Sequence, residues 1–492
     1  MGNTVAHSFL RSSLPSKRKS QAINSESEDG ESEDEMFSPK RRKIMSTSKY
    51  IYKTLFEEGQ GSDVQIEALN RTWNLHRLYL SQSPYFNSMF NGLWVETTQK
   101  EIRMGIEDEN ITSEALHKVF GSLYQDEIQI QPSEAVSILA SATLLQLDDI
   151  IQQSIEVMKD SINIDTVLSF HEAAELYGLN QIKCITMDWL HKNTVLRLSA
   201  SPAHLQQVSC TLMAELISSP NLVVVQTEFS LYLLLKQWVF LKENISFRNY
   251  EACTVAADQY FKSNAGTLGN VPYLMTNTGS PYQSAFRALR LKHLIIHHID
   301  MELIEADCII PVDWFMPIFK VQWYQMLRVD QGVDKGPSHV SEEDFKRDCV
   351  RCGRILHTDT QHSWRWTGYN FGFDIVLCYA RGCFKLKRFQ KAESESRVFH
   401  SPSEMIPLRS KKRNLMYQIC VYSLDKNGRI ISKGETPIRT VSLNENEQVP
   451  VLNFHGDMKF PLLMSANFLL TTPLQTTDEI MPTISQNKQL AF

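Results

Sequence analysis

The sequence predicts a multidomain α+β protein: an α/β unit, an all-α unit and an antiparallel β unit, in that order, behind a disordered tail. Three observations carry this. Residues 1–44 hold few apolar side chains among many charged and small polar ones, so ordering them would not be repaid by burial. From Tyr50 onward apolar residues recur at helical spacing, interrupted near Val64 by a short alternating stretch. Beyond about residue 345 the apolar period drops from 3.6 to 2, which marks strands.

Composition bounds the functions. The chain has 492 residues, 42% hydrophobic and 10% aromatic, enough for about three domain cores. A formal net charge of -6 argues against general nucleic-acid binding, which needs a concentrated basic face. No run of 18 apolar residues predicts a membrane span. The nine cysteines are scattered and odd in number, and no apolar signal core opens the chain, so a reducing compartment is expected.

The tail carries two basic clusters, Lys17-Arg18-Lys19 and Lys40-Arg41-Arg42-Lys43, on either side of an acidic block from Glu26 to Glu35. This is the layout of a split nuclear import signal. Ser38-Pro39 is similar to a proline-directed phosphorylation site, and a phosphate there would add negative charge beside the second cluster.

In the next unit Val64-Gln65-Ile66 alternates as a strand, and His76 to Leu80 follows another. Tyr85, Phe86, Met89 and Phe90 share a helical face. Leu116, Val119, Phe120 and Leu123 form an amphipathic helix, and Pro132 opens one that turns Ala135, Ile138, Leu139, Ala142 and Leu145 inward. This order, with Asp63 and His76 at two fixed polar positions and Tyr85-Phe86 in the aromatic helix, resembles a BTB (POZ) domain. The resemblance implies a homodimer formed through Tyr52, Leu55 and Phe56. It also implies a cullin-3 site at Trp94 and Glu96, just after the third helix, with Met89 and Tyr124 beside them.

The middle unit places Val167, Phe170, Ala174 and Tyr177 on one helical face, stops at Gly178-Leu179, and resumes with Ile182, Ile185, Trp189 and Leu190. With Glu228, Leu231, Leu235 and Trp238 further on, it resembles a BACK domain. Lys262 to Gln283 reads as a loop insertion. His293, His297 and His298 lack a Cys or carboxylate to complete a metal set, so they read as a partly exposed helix face.

In the last unit Ile375, Leu377 and Tyr379 alternate, Arg381-Gly382 turns the chain, and Asn427-Gly428 is a hairpin signal. A sandwich is expected, without the blade period of a propeller. Cys349, Cys352, Cys378 and Cys383 could pair around zinc, but the second pair straddles a turn, so buried thiols and no metal are expected. Trp364, Trp366, Tyr369 and Phe371 exceed what one strand face buries, which suggests a substrate-reading surface. Cys352-Gly353-Arg354 and the run from Trp364 to Asp374 resemble the C-terminal domain of the germ-cell-less family.

The expected boundaries are 1–44 tail, 45–158 BTB, 159–328 BACK-like, 329–344 linker, 345–475 β unit and 476–492 tail. No nucleophile elbow, phosphate loop or metalloprotease motif is present, so no catalysis and no cofactor are expected. The resemblance implies a substrate adaptor of a cullin-3 ubiquitin ligase, resident in the nucleus at the envelope or matrix, with lamina-associated partners, an unidentified protein substrate and a role in germ-cell development or spermatogenesis. The alternative is a non-catalytic nuclear scaffold or transcriptional co-regulator that uses the BTB unit to dimerise.

Overall fold

The computed structural model describes residues 46–92, 98–125, 127–267, 269, 271–330, 337, 339–369, 373–389, 412–444, 447–454 and 459–471. The basic clusters, Ser38, Trp94, Glu96 and Phe371 lie outside these, as does the side chain of Tyr369.

The first unit is a small sheet under helices. Strands β1 (Val64–Ala68) and β2 (Arg71–Leu75) form a hairpin, and β3 (Glu101–Arg103) adds parallel to β1, giving the order β2-β1-β3. Leu69 and Asn70 both have positive φ, the backbone a two-residue hairpin of this twist requires. Helix α1 (Thr47–Ile51) starts at a Ser46 cap and runs on as a π-type turn over Tyr52–Glu57. The short α2 (Arg77–Leu80) leads to α3 (Pro84–Asn91), where Pro84 sits in the first turn and the Ser83 hydroxyl caps the helix. Helices α4 (Ser113–Ser122), α5 (Ala135–Leu145) and α6 (Asp148–Asp160) complete the unit, and Ile66, Leu75, Phe86, Leu116, Phe120 and Leu145 fill its core.

The second unit is a helical array: α7 (Val167–Leu176), α8 (Asn180–Asn193), α9 (Pro202–Gln207), α10 (Cys210–Ser218), α11 (Phe229–Glu243), α12 (Tyr250–Thr267), α13 (Gln283–Arg287), α14 (His298–Asp307) and α15 (Met316–Asp330). Gly178 ends the first of these in the left-handed region, as its position predicts. Two expectations fail here. The 262–283 stretch is not an excluded loop: α12 runs through it to Thr267, and Tyr273 and Leu274 enter the core. The three histidines do not share a helix face, because His293 lies in a 3-10 turn and bonds the Asp348 carbonyl at 2.9 Å while His297 caps α14.

Helix α16 (Glu342–Asp348) leads into the third unit, so the expected 329–344 linker overlaps the end of α15 and the start of α16. The third unit is an antiparallel sandwich. One sheet has the order β10-β8-β12-β4 with β9 also paired to β8, and the other has the order β11-β7-β6-β5. The strands are β4 (Val350–Leu356), β5 (His362–Tyr369), β6 (Phe373–Ala380), β7 (Cys383–Phe389), β8 (Lys412–Leu424), β9 (Ile430–Glu435), β10 (Arg439–Asn444), β11 (Gln448–Asn453) and β12 (Leu462–Thr471). Inward residues of both sheets, among them Leu377, Phe384, Ile419 and Met464, meet in one core.

Array and sandwich are joined rather than strung on a tether. Gln226 and Gly353 form a backbone bridge with bonds of 2.9 and 3.3 Å. The Trp189 indole donates to the Asn427 carbonyl at 2.8 Å, and Arg197 donates to the carbonyls of Asp425 and Lys426 at 2.7 Å each. At the centre Arg351 of β4 and Glu228 at the head of α11, both almost wholly buried, are paired at 2.5 and 3.0 Å.

Candidate partner-binding site

The two polar positions of the first unit organise its surface helices. The Asp63 carboxylate accepts from the Arg77 amide at 2.8 Å, which fixes the start of α2. His76 makes three contacts: its amide donates to the Tyr124 hydroxyl at 2.9 Å, its Nδ1 lies 3.2 Å from that hydroxyl, and its Nε2 lies 3.0 Å from the Gln60 carbonyl. A carbonyl only accepts, so Nε2 carries the proton and Nδ1 accepts from the tyrosine. The set is internally satisfied. Burial pushes the Tyr124 hydroxyl well above the ordinary phenol range, which keeps it protonated for this task.

Arg77 reaches both the end of α3 and the chain at Gln99. Its guanidinium stacks over the Phe90 ring, 4.5 Å from the centroid, and donates to the Gln99 carbonyl at 2.5 Å. Within α3, Phe86 and Phe90 go to the core while Tyr85 and Met89, also four residues apart, are half-buried and pack against its edge. On the adjoining α2, Leu78 is 80% exposed, an apolar residue the sequence reading passed over. Its signal was available: Leu78 is apolar beside Leu80, yet only one of them can face the core of a four-residue helix.

Several expected site residues take other places. Tyr124 is buried behind His76 and stacked on Tyr79 with centroids 4.3 Å apart, so it is a core residue and not an exposed one. Phe56 belongs to its own unit's core, stacked on His117 at 4.8 Å and packed on Tyr124, because the π-type turn rotates it inward. Tyr52 and Leu55 are half-buried against the same core, and the exposed aromatic of this segment is Tyr50. Trp366 is a core residue, 3% exposed and 5.8 Å from Phe468 of the opposite sheet. Trp364 packs at the edge of that core and stays half-buried.

The cysteines form no disulfide. Cys349 and Cys352 are buried and Cys378 and Cys383 half-buried, and the four do not assemble as a ligand set among the described residues. Cys349 is held by Arg290, whose Nη1 lies 2.5 Å from its carbonyl and 3.0 Å from its sulfur.

Comparison with known proteins gives the family of this frame. A BTB/POZ domain family matches residues 52–162. The chain is 36% identical over 437 residues to the human protein "Germ cell-less protein-like 1", covering 88% of this chain and 83% of that one. It is 36% identical over 489 residues to "Protein germ cell-less" of Drosophila melanogaster, covering 95% and 84%. A fish "Kelch repeat and BTB domain-containing protein 8" from Danio rerio is 27% identical over 143 residues, covering 28% of this chain and 23% of that one. On the strength of those long matches and the BTB frame beneath them, the chain belongs to the germ-cell-less family, a BTB-type group of adaptors and scaffolds.

Proposed function

We propose that the protein is the substrate-recruiting adaptor of a cullin-3 ubiquitin ligase, working as a homodimer in the nucleus during germ-cell development. The observation that carries this is the α2–α3 face, where Leu78 is exposed, Tyr85 and Met89 are half-buried, and Arg77 contacts both Phe90 and the Gln99 carbonyl. In sequence Trp94 and Glu96 fall between Phe90 and Gln99, an aromatic anchor and a carboxylate of the kind that seats in a groove on a partner helix. The proposed division of labour gives residues 45–158 to dimerisation and ligase docking, and the array with the sandwich, 159–328 and 345–475, to the substrate. Tyr50, Tyr52 and Leu55 are the side chains through which α1 would meet a second copy.

The Trp94→Ala, Glu96→Ala double variant should stay a folded dimer and lose cullin-3 in co-precipitation. Removing such an anchor costs about 2 kcal/mol, roughly thirtyfold in affinity. Undiminished binding would remove the site from these residues. Absence of binding by the wild-type chain would leave a nuclear scaffold that uses its BTB unit only to dimerise.

A further inference from the structure

One buried imidazole in the helical array ends without a partner. His171 of α7 is 1% exposed, and its Nδ1 lies 3.0 Å from the Thr186 hydroxyl of α8. That hydroxyl in turn lies 2.9 and 3.0 Å from the carbonyls of Ile182 and Lys183, which can only accept, so its single proton is committed to them. Nδ1 is therefore the donor, and Nε2 carries a lone pair. Nε2 makes no hydrogen bond. It faces Glu175, one turn along α7, whose Oε1 is 3.8 Å away, and Glu215 from α10. One donor atom from each of the three lies within 4.8 Å of the others, the one trio of this kind among the described residues.

A lone pair aimed at two carboxylates is repulsive unless something positive stands between them. The Lys183 ammonium, 2.7 Å from Glu175 Oε1, already supplies one positive charge there, and a metal ion that also takes the Nε2 lone pair would supply another.

We propose that His171, Glu175 and Glu215 bind one divalent transition-metal ion, with Zn2+ the best fit. An imidazole with two carboxylates suits zinc, whereas calcium and magnesium take oxygen sets. A tetrahedral zinc wants its ligand atoms roughly 3.4 Å apart. The two glutamates are exposed and can close that gap by side-chain rotation, while Thr186 fixes the imidazole from behind. Their exposure leaves a fourth position for water or a ligand from a partner protein. Lys183 competes for the site, with its Nζ 2.7 Å from Glu175 Oε1. The ion would clip α7 to α10, far in sequence from the proposed ligase face and independent of it.

The test is calorimetric titration of Zn2+ into the chelator-stripped full chain, with Co2+ as a spectroscopic stand-in. One equivalent should bind. Glu175→Gln with Glu215→Gln, both surface changes that leave the core intact, should weaken it at least about tenfold, His171→Gln should abolish it, and Lys183→Gln should tighten it. The Co2+ form should show visible bands of nitrogen and oxygen ligation without thiolate charge transfer, which separates this site from the nine cysteines. No binding by the wild type, binding unchanged by the glutamate pair, or a thiolate spectrum would each overturn the assignment.

Discussion

Arg351 shows at the scale of one residue how the joint between array and sandwich is held. Its guanidinium makes paired bonds to Glu228 and donates to the carbonyls of Ile217 and Ser219 at 3.0 Å each, while the Arg290 amide adds a bond to Glu228 at 2.8 Å. Burial pushes the Glu228 carboxyl up, but Arg351 and Arg290 outweigh it and hold it below the ordinary value near 4.5. A depressed carboxyl gives stability that is complete above the unfolded value and is lost as pH falls through the folded one. His293, which touches the same joint, is held down to about 4 by burial, so the unfolded chain takes up its proton first and stability begins to fall below about 6.5. The joint should therefore weaken progressively on acidification from 6.5 downward. Arg351→Met should cost about 3–5 kcal/mol by stranding a buried carboxylate. It should also reverse the slope contributed by Glu228, since an unpaired buried carboxyl gains from protonation. Restoring much of that loss with Arg351→Met plus Glu228→Leu would confirm that the pair serves fit rather than net attraction. Denaturant midpoints between pH 4 and 7 measure all three, and a single variant as stable as the wild type would refute the account.

Individual elements are tuned to let others approach. Strand β4 comes so close to the array that a Cβ on Gly353 would stand 1.7 Å from the Val224 carbonyl. Gly353→Ala should force β4 away and cost on the order of 1–3 kcal/mol, and limited proteolysis should then cut between array and sandwich while the BTB unit stays intact. An unchanged digestion pattern would show that the bridge is not a constraint. The β8–β9 turn has a similar requirement. Gly428 has φ of +83°, and a Cβ there would lie 2.4 Å from the Asn193 side chain. Much of each element could be read locally: strand alternation at Ile375, Leu377 and Tyr379, the turns at Arg381-Gly382 and Asn427-Gly428, and Pro84 in the first turn of α3. Trp366 could not, because alternation puts it on the same face as Trp364 and only Phe468, about a hundred residues on, decides that one is covered and the other half-open.

Taken whole, the molecule pairs a BTB unit with a single body of array and sandwich, behind a tail whose two basic clusters flank an acidic block. Import should need both clusters, each being a short patch beside acidic residues. Neutralising Lys40 to Lys43 should leave a full-length reporter fusion cytoplasmic, and a fusion that stays nuclear with both clusters neutralised would refute the signal. The amino-acid sequence by itself determined the order of α/β, α and β units, the BTB frame and many of the caps and turns, because these follow from local periodicity and backbone preferences. Tertiary structure alone decided that Tyr124 and Phe56 turn inward, that Glu228 meets Arg351 across 123 residues, and that His171 and Glu175 find Glu215 on another helix. Spacing along a helix shows which side chains share a face. Which face of a distant element covers them is settled only when the whole chain has closed around its cores, and partner, ion pair and candidate metal site are all consequences of that closure.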